Sequence, residues 1–325
     1  MKNILALIGG GPSDDMVFET AFGAGLLFDA HIECLHIRIS SGEAAVHTPH
    51  ISYAIGRGLR SALSHLKKQA AARSQAGSEH FRETCARRSV TVGGRPGATD
   101  GPSASWREED GDGLAPIVRH ARFHDLVVAS RPGGPNGMPQ DLIDELLVAC
   151  GRPILVPAPV ARPAFDMIMV CWKDVPEAAR ALGAAMPFLR KAKRVVAVGV
   201  AENEMPAEPS LMELRESLAW HGIKAEVQLL PISDRSAEAV AEAIDYASAQ
   251  YDADLIVMGA YGRSRTRELI LGGCTQHFIM RSARPVLFTH RAARATDWSH
   301  VIFEIHGPFQ SFQRSTPPTF CKQFQ

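Results

Sequence analysis

Two short strings occur twice in the chain, and their spacing limits the fold more than any other feature. Residues 125–130 (DLVVAS) return as residues 254–259 (DLIVMG), 129 positions later. Residues 151–157 (GRPILVP) return as residues 283–289 (ARPVLFT), 132 positions later. Solenoid repeats run about 20–50 residues, so a period near this length is that of a whole domain. The 325 residues amount to roughly two domains at about 150 residues each. A tandem duplication is the economical reading.

Both copies open alike. In the first, an apolar strand at residues 4–8 leads through Gly9, Gly10, Gly11 and Pro12 to a helix at 15–28 and a strand at 31–39. In the second, a strand at 167–172 leads to a helix at 177–191 and a strand at 194–201. Ala178, Ala181, Leu182, Ala185 and Leu189 keep the spacing of one buried helical face. Pro187 is expected to kink the last turns of that helix. Ser210 and Glu213 read as a capping box, opening a helix that stops at Gly222. A strand over 224–231 follows, then a helix with Val240, Ile244 and Ala247 on one stripe. A buried strand at 255–258, a helix after Gly273 and a strand at 286–288 complete the copy. Nearly all-apolar strands alternating with helices form a parallel sheet covered on both faces. The expected class is α/β, as two tandem doubly wound parallel-sheet domains of Rossmann-like type.

The first copy is looser. A helical stretch over 53–88 precedes a polar, glycine-rich loop over 93–113. Trp106 reads there as a packing plug, and Glu108, Glu109 and Asp110 as a solvated acidic run. Prolines at 157, 159 and 163 mark a hinge between the copies. Beyond His290 neither period continues, and the last 35 residues are expected to form an irregular tail. The expected limits are 1–159 for the first domain, 160–165 for the linker, 166–290 for the second domain and 291–325 for the tail.

Composition removes several functions. Thirty-five basic residues balance 35 acidic ones, so the global positive field of a nucleic-acid or anionic-membrane binder is lacking. No apolar run approaches the roughly 20 residues that span a bilayer. The first apolar run ends in glycines, Asp14 and Asp15 without a small-residue cleavage site, which argues against a signal peptide. Six cysteines form no CxxC pair and are expected to be reduced thiols of a cytoplasmic protein. Among thirteen histidines there is no HExxH. The pair His120 and His124 abuts a strand starting at Asp125, so the histidines read as solvated and no metal site is expected. No GxSxG elbow, P-loop or paired catalytic carboxylate occurs.

One segment collects the residue types that hold an anion. It runs Gly259-x2-Gly262-x9-Gly272 and continues through Gly273, Cys274 and Thr275, from the carboxyl end of an apolar strand into a helix. Ligands of open parallel sheets bind outside the strand ends. Glycine lets backbone approach a phosphate without a Cβ clash. The N–H groups of Gly273, Cys274 and Thr275 would face a ligand at the positive end of the helix. Arg263 and Arg265 could add bidentate contacts. Taken alone, these residues fit a glycine-shaped turn equally well.

The same spacing, with Thr275 and the strand at 283–289 behind it, resembles the nucleotide-binding signature of the universal stress protein family, G-x2-G-x9-G followed by Ser or Thr. The likeness covers 165–290 well and extends, more degenerately, over 1–159. The chain is thus similar to a tandem universal stress protein of the bacterial type. The resemblance implies adenine nucleotide alpha hydrolase-like sheets of strand order 3-2-1-4-5. It implies that the two units pair through their last strands, 154–156 against 286–288, as a pseudo-dimer within one chain. It also implies ATP, with Mg, bound through Gly259, Gly262, Arg263, Gly272, Gly273 and Thr275.

Three departures stand out. Gly273 occupies the family's Ser or Thr position. Lys173 and Gly9 replace the Asp at the end of the first strand in the two copies. The first copy has Ser130, Arg131, Pro132 and Gly133 at its loop and no later glycine pair. Nineteen steps separate Gly133 from Arg152, against 22 from Gly262 to Arg284, and this copy is expected not to bind ATP. The expected function is a stress-response protein whose second domain binds an adenine nucleotide as a regulatory switch read by protein partners, with further oligomerisation open to it. No general base is positioned, so any ATP hydrolysis would be slow and incidental. The alternative, motivated by Lys173 and Gly273, is a non-nucleotide-binding interaction or scaffold module with a vestigial glycine loop. An adenylyl-transferring ligase would need an SGGxDS motif, which Gly9 to Asp14 match only superficially.

Overall fold

Eleven strands line up in one sheet in a computed structural model that describes residues 1–39, 57–94, 101–111, 113–132, 138–139, 141–200, 207–232, 234, 236–260 and 273–290. The strands are β1 (Asn3–Leu7), β2 (His31–Ile39), β3 (Thr91–Val92), β4 (Ser103–Gly111), β5 (Leu126–Val128) and β6 (Ile154–Val156), then β7 (Met167–Cys171), β8 (Arg194–Val200), β9 (Ala225–Leu230), β10 (Leu255–Gly259) and β11 (Val286–Thr289). Their order is β3-β4-β2-β1-β5-β6-β11-β10-β7-β8-β9. Neighbours are parallel except at the centre, where β6 and β11 run antiparallel with Leu287 opposite Leu155. The two repeats meet through their last strands, as the family resemblance implies. The expected tail 291–325 lies outside the described residues.

Eight helices flank the sheet among the described residues: α1 (Asp14–Phe28), α2 (Arg57–Arg88), α3 (Ala115–Ala121), α4 (Leu142–Ala149), α5 (Pro176–Leu189), α6 (Ala207–Trp220), α7 (Ala237–Gln250) and α8 (Gly273–Arg281). Successive strand side chains point to opposite faces. Ile4, Ala6 and Ile8 therefore enter one apolar layer while Leu5 and Leu7 enter the other. Leu255 and Val257 divide from Ile256 and Met258 in the same way. Each layer extends through both repeats, so the central strands β1, β5, β6, β7, β10 and β11 are apolar at nearly every position. Phe188 of α5 is shared: Phe28 of α1 lies 4.8 Å from it and Phe165 lies 4.9 Å from it. The proline segment expected to be a hinge is packed against α1, where a Cβ on Gly23 would lie 2.6 Å from the Pro163 carbonyl oxygen.

The repeated strings are braces at the strand starts. Asp125 accepts hydrogen bonds from the N–H groups of Lys2 and Asn3 at 2.6 and 3.2 Å. Asp254 accepts from those of Asp166 and Met167 at 3.1 and 2.9 Å. Ser282 Oγ accepts the Arg284 N–H at 3.1 Å, and Cys150 Sγ accepts that of Arg152 at 3.3 Å. These side chains satisfy backbone donors where the sheet ladder begins or ends, each such hydrogen bond contributing about 1 kcal/mol.

Four expectations change. The loop over 93–113 contains β4, which pairs with β2 along nine residues, from Ser103 opposite His31 to Gly111 opposite Ile39. Its acidic run is engaged rather than solvated: Glu108 accepts from Ser74 Oγ at 2.6 Å and Trp106 Nε1 at 2.8 Å, and Glu109 meets His120 at 2.8 Å. Cross-strand partners make such a polar sequence a strand, a contribution that side-chain period alone does not reveal. Ser210 does not cap α6, which begins at Ala207; its hydroxyl instead accepts Trp172 Nε1 at 2.8 Å. His36 and His124 are buried, not solvated. Trp106 is a plug, 5.8 Å from Phe81 and stacked on His36.

Candidate functional site

The carboxyl end of β10 lies between β7 and β11, where three parallel strands end side by side. Gly259 closes β10 under the first turn of α5. A Cβ there would lie 2.6 Å from the Glu177 carbonyl carbon and 2.8 Å from the Ala178 nitrogen, so only glycine lets that helix seat. Val257 is opposite Val170, and Lys173 follows two residues beyond the end of β7. The Lys173 carbonyl accepts the Val175 N–H at 2.7 Å, turning the chain into α5. His290 Nδ1 is hydrogen-bonded to the Ala260 carbonyl at 3.1 Å, which holds the strand end against the end of β11.

α8 starts at Gly273. A Cβ on that residue would come within 2.8 Å of the Ala237 Cβ at the start of α7, which accounts for glycine where the family signature has Ser or Thr. Thr275 is buried in the first turn. Burial pushes the Cys274 thiol up to about 11, and Asp245 adds to the shift, so the thiol stays protonated and unreactive at neutral pH. Burial raises Cys171 as well. Asp245 of α7 meets His277 of α8 at 2.5 Å and ties the two helices. Gly259, Gly273 and Thr275 are thus placed at the two ends of the glycine segment, while Gly262, Arg263 and Gly272, with Arg265 and Arg267, lie outside the described residues.

The corresponding corner of the first repeat is filled from within. The N–H groups of Gly9, Gly10 and Gly11 donate to the Asp14 carboxylate at 3.0, 2.7 and 3.1 Å. Successive backbone N–H groups of this kind form an anion-binding concavity. Here the anion is the chain's own buried side chain. Burial pushes the Asp14 pKa up, against the three donors and His36, which pull it down. α2 closes the corner: Gly10 has φ +76° and a Cβ on it would lie 2.6 Å from Arg73. Arg131, the counterpart of Ala260, reaches across to donate to the Ser282 carbonyl and, at 3.3 Å, to that of Pro157. The sequence shows neither role, because each depends on partners distant along the chain or on a backbone shape.

A histidine and carboxylate group lines the other face of β2 and β4. His31 sits between Ser103 Oγ at 2.8 Å and Ser105 Oγ at 2.9 Å. Glu33 pairs with Arg107 at 3.0 Å, and His124 Nδ1 is bonded to the His120 carbonyl at 2.9 Å. Burial lowers the pKa of both His31 and His124, which favours their neutral form. Among the described residues no group of three His, Cys, Asp or Glu could hold a metal ion, and no helix is long and apolar enough to cross a membrane. All five cysteines among those residues are free thiols.

The sequence profile of the universal stress protein family matches residues 164–290. No match was found among curated protein sequences. Among solved structures, a universal stress protein from Archaeoglobus fulgidus superposes with a TM-score of 0.65 at 15% identity, over 89% of this chain and 98% of that one. A protein of unknown function from Pseudomonas aeruginosa superposes with a TM-score of 0.51 at 16% identity, over 89% of this chain and 92% of that one. These likenesses establish a shared fold.

Proposed function

Residues 164–290 belong to the universal stress protein family, and from that membership we propose that the second repeat is a stress-response module that binds ATP or a related adenine nucleotide. The observation that carries this reading is the placement of one segment's two ends: Gly259 closes β10, and Gly273 opens α8 at the same edge of a parallel sheet. Gly262, Arg263 and Gly272 lie between them in sequence. In the proposed complex the N–H groups at the start of α8, through Thr275, hold phosphate oxygens, and Arg263 adds charge. Lys173, two residues past β7, carries a positive charge that suits an anion at this edge. Mg would neutralise further phosphate charge. Nucleotide binding would favour one arrangement of the glycine segment, which protein partners read as a switch in a cytoplasmic setting. In this reading the first repeat binds no nucleotide, because its segment after β5 lacks the later glycine pair; Asp14 also occupies the donors of the turn after β1.

One observation favours the scaffold reading: Gly259 and Gly273 both have packing reasons to be glycine. A vestigial loop would keep them. Calorimetric titration of the purified protein with ATP-Mg separates the two readings. Saturable binding to the wild type, lost in Gly262→Asp, is the expected result. No saturable binding to the wild type overturns the nucleotide reading and leaves the scaffold.

A further inference from the structure

We propose that the first repeat carries a separate small-molecule site, for a monoanionic carboxylate with an apolar body, in the cleft between α2 and the edge of the sheet. The cleft has a volume of about 460 Å³, within the roughly 300–1,000 Å³ of small-ligand sites. Ser78, Phe81 and Arg82 supply its helical wall, Val92 its rim, and Ser105 and Trp106 its strand wall. The three helical residues share one face because they are spaced three and four apart.

The walls are apolar for identifiable reasons. Trp106 donates its Nε1–H to Glu108 at 2.8 Å, so its polar atom is already satisfied and ring carbon is left for the cleft. Gly77 lets the indole press against α2, since a Cβ there would lie 2.9 Å from the Trp106 ring. Val92 is 59% exposed at the mouth, an apolar side chain with solvent over it. A Cβ added at Gly93, beside Val92, would meet nothing within 4 Å, so the rim leaves space there.

The charge selects the ligand. Arg87 and Arg88, one turn further along α2, both pair with Glu19. Arg82 has no carboxylate partner among the described residues and is exposed at the cleft. A guanidinium without a carboxylate partner among the described residues, on a side chain that lines a largely apolar cleft, matches a carboxylate whose body lies along Val92 and Trp106. Ser78 offers a hydroxyl beside it, while Ser105 is engaged with His31 at 2.9 Å. This site shares no residue with the glycine segment.

The test is calorimetric titration of the full chain with octanoate and, separately, 1-naphthoate, with octanamide as an uncharged control. Saturable binding of one or both carboxylates is expected, the stronger one telling an aliphatic body from an aromatic one. Arg82→Gln should weaken carboxylate binding about fivefold, the scale of one exposed ion pair, and leave octanamide unchanged. Val92→Asp, at an exposed position, should weaken the carboxylate as well. Excess ATP-Mg should not displace it. The proposal is overturned if neither carboxylate saturates, if Arg82→Gln binds as well as the wild type, or if ATP-Mg competes.

Discussion

Asp14 illustrates how much a single side chain decides. Three consecutive N–H groups point at it, and it is buried. Replacing it with alanine leaves three inward-facing donors without their acceptor. Asp14→Ala is therefore expected to lower stability by about 2–4 kcal/mol, read as a lower urea midpoint with an unchanged slope. A change of less than about 0.5 kcal/mol, the range of ordinary surface substitutions, would show that the donors find other acceptors. The run Gly9 to Gly11 was visible in the sequence as a turn. That its anion is internal was not, because only the folded turn aims three N–H groups at one carboxylate.

Helices and strands were legible wherever one period dominated. β7, α5, β8 and β10 fall within a residue or two of their expected bounds, since Ala178, Ala181 and Ala185 sit on one buried face and the strands are apolar throughout. β4 was not legible. One side, Ser103, Ser105, Arg107 and Glu109, is polar throughout, the other passes from core residues Ala104 and Trp106 to Glu108, and its partners belong to β2, α2 and α3. Packing between elements likewise explains Gly273. Gly273→Ser restores the family hydroxyl but drives a Cβ toward Ala237, and should cost about 1–3 kcal/mol. Adding Ala237→Gly should recover more than the roughly 0.5 kcal/mol expected of independent sites, although glycine in a helix itself costs up to about 1 kcal/mol. Strict additivity in thermal or urea unfolding would remove the steric account.

At the scale of the molecule, the central antiparallel pair joins the two repeats and makes both apolar layers continuous. Leu155 and Leu287 face each other there, fully buried. Leu155→Ala should cost about 2–5 kcal/mol, and because both layers pass through this seam the wild type should unfold in one transition. Two well-separated wild-type transitions in calorimetry or urea would show that the repeats are independent. By itself the sequence determined the twice-occurring strings, the parallel α/β class and the glycine segment that proposes a ligand. Those are set by local periodicity and by spacing along the chain, which survive without knowledge of partners. Only the tertiary structure decided that Asp14 satisfies the first glycine turn from within, that Arg131 braces one repeat on the other, and that Arg82 faces an apolar cleft. Each depends on groups far apart in sequence meeting in space, and a hydrogen bond or an ion pair exists only where the fold has brought its two halves together.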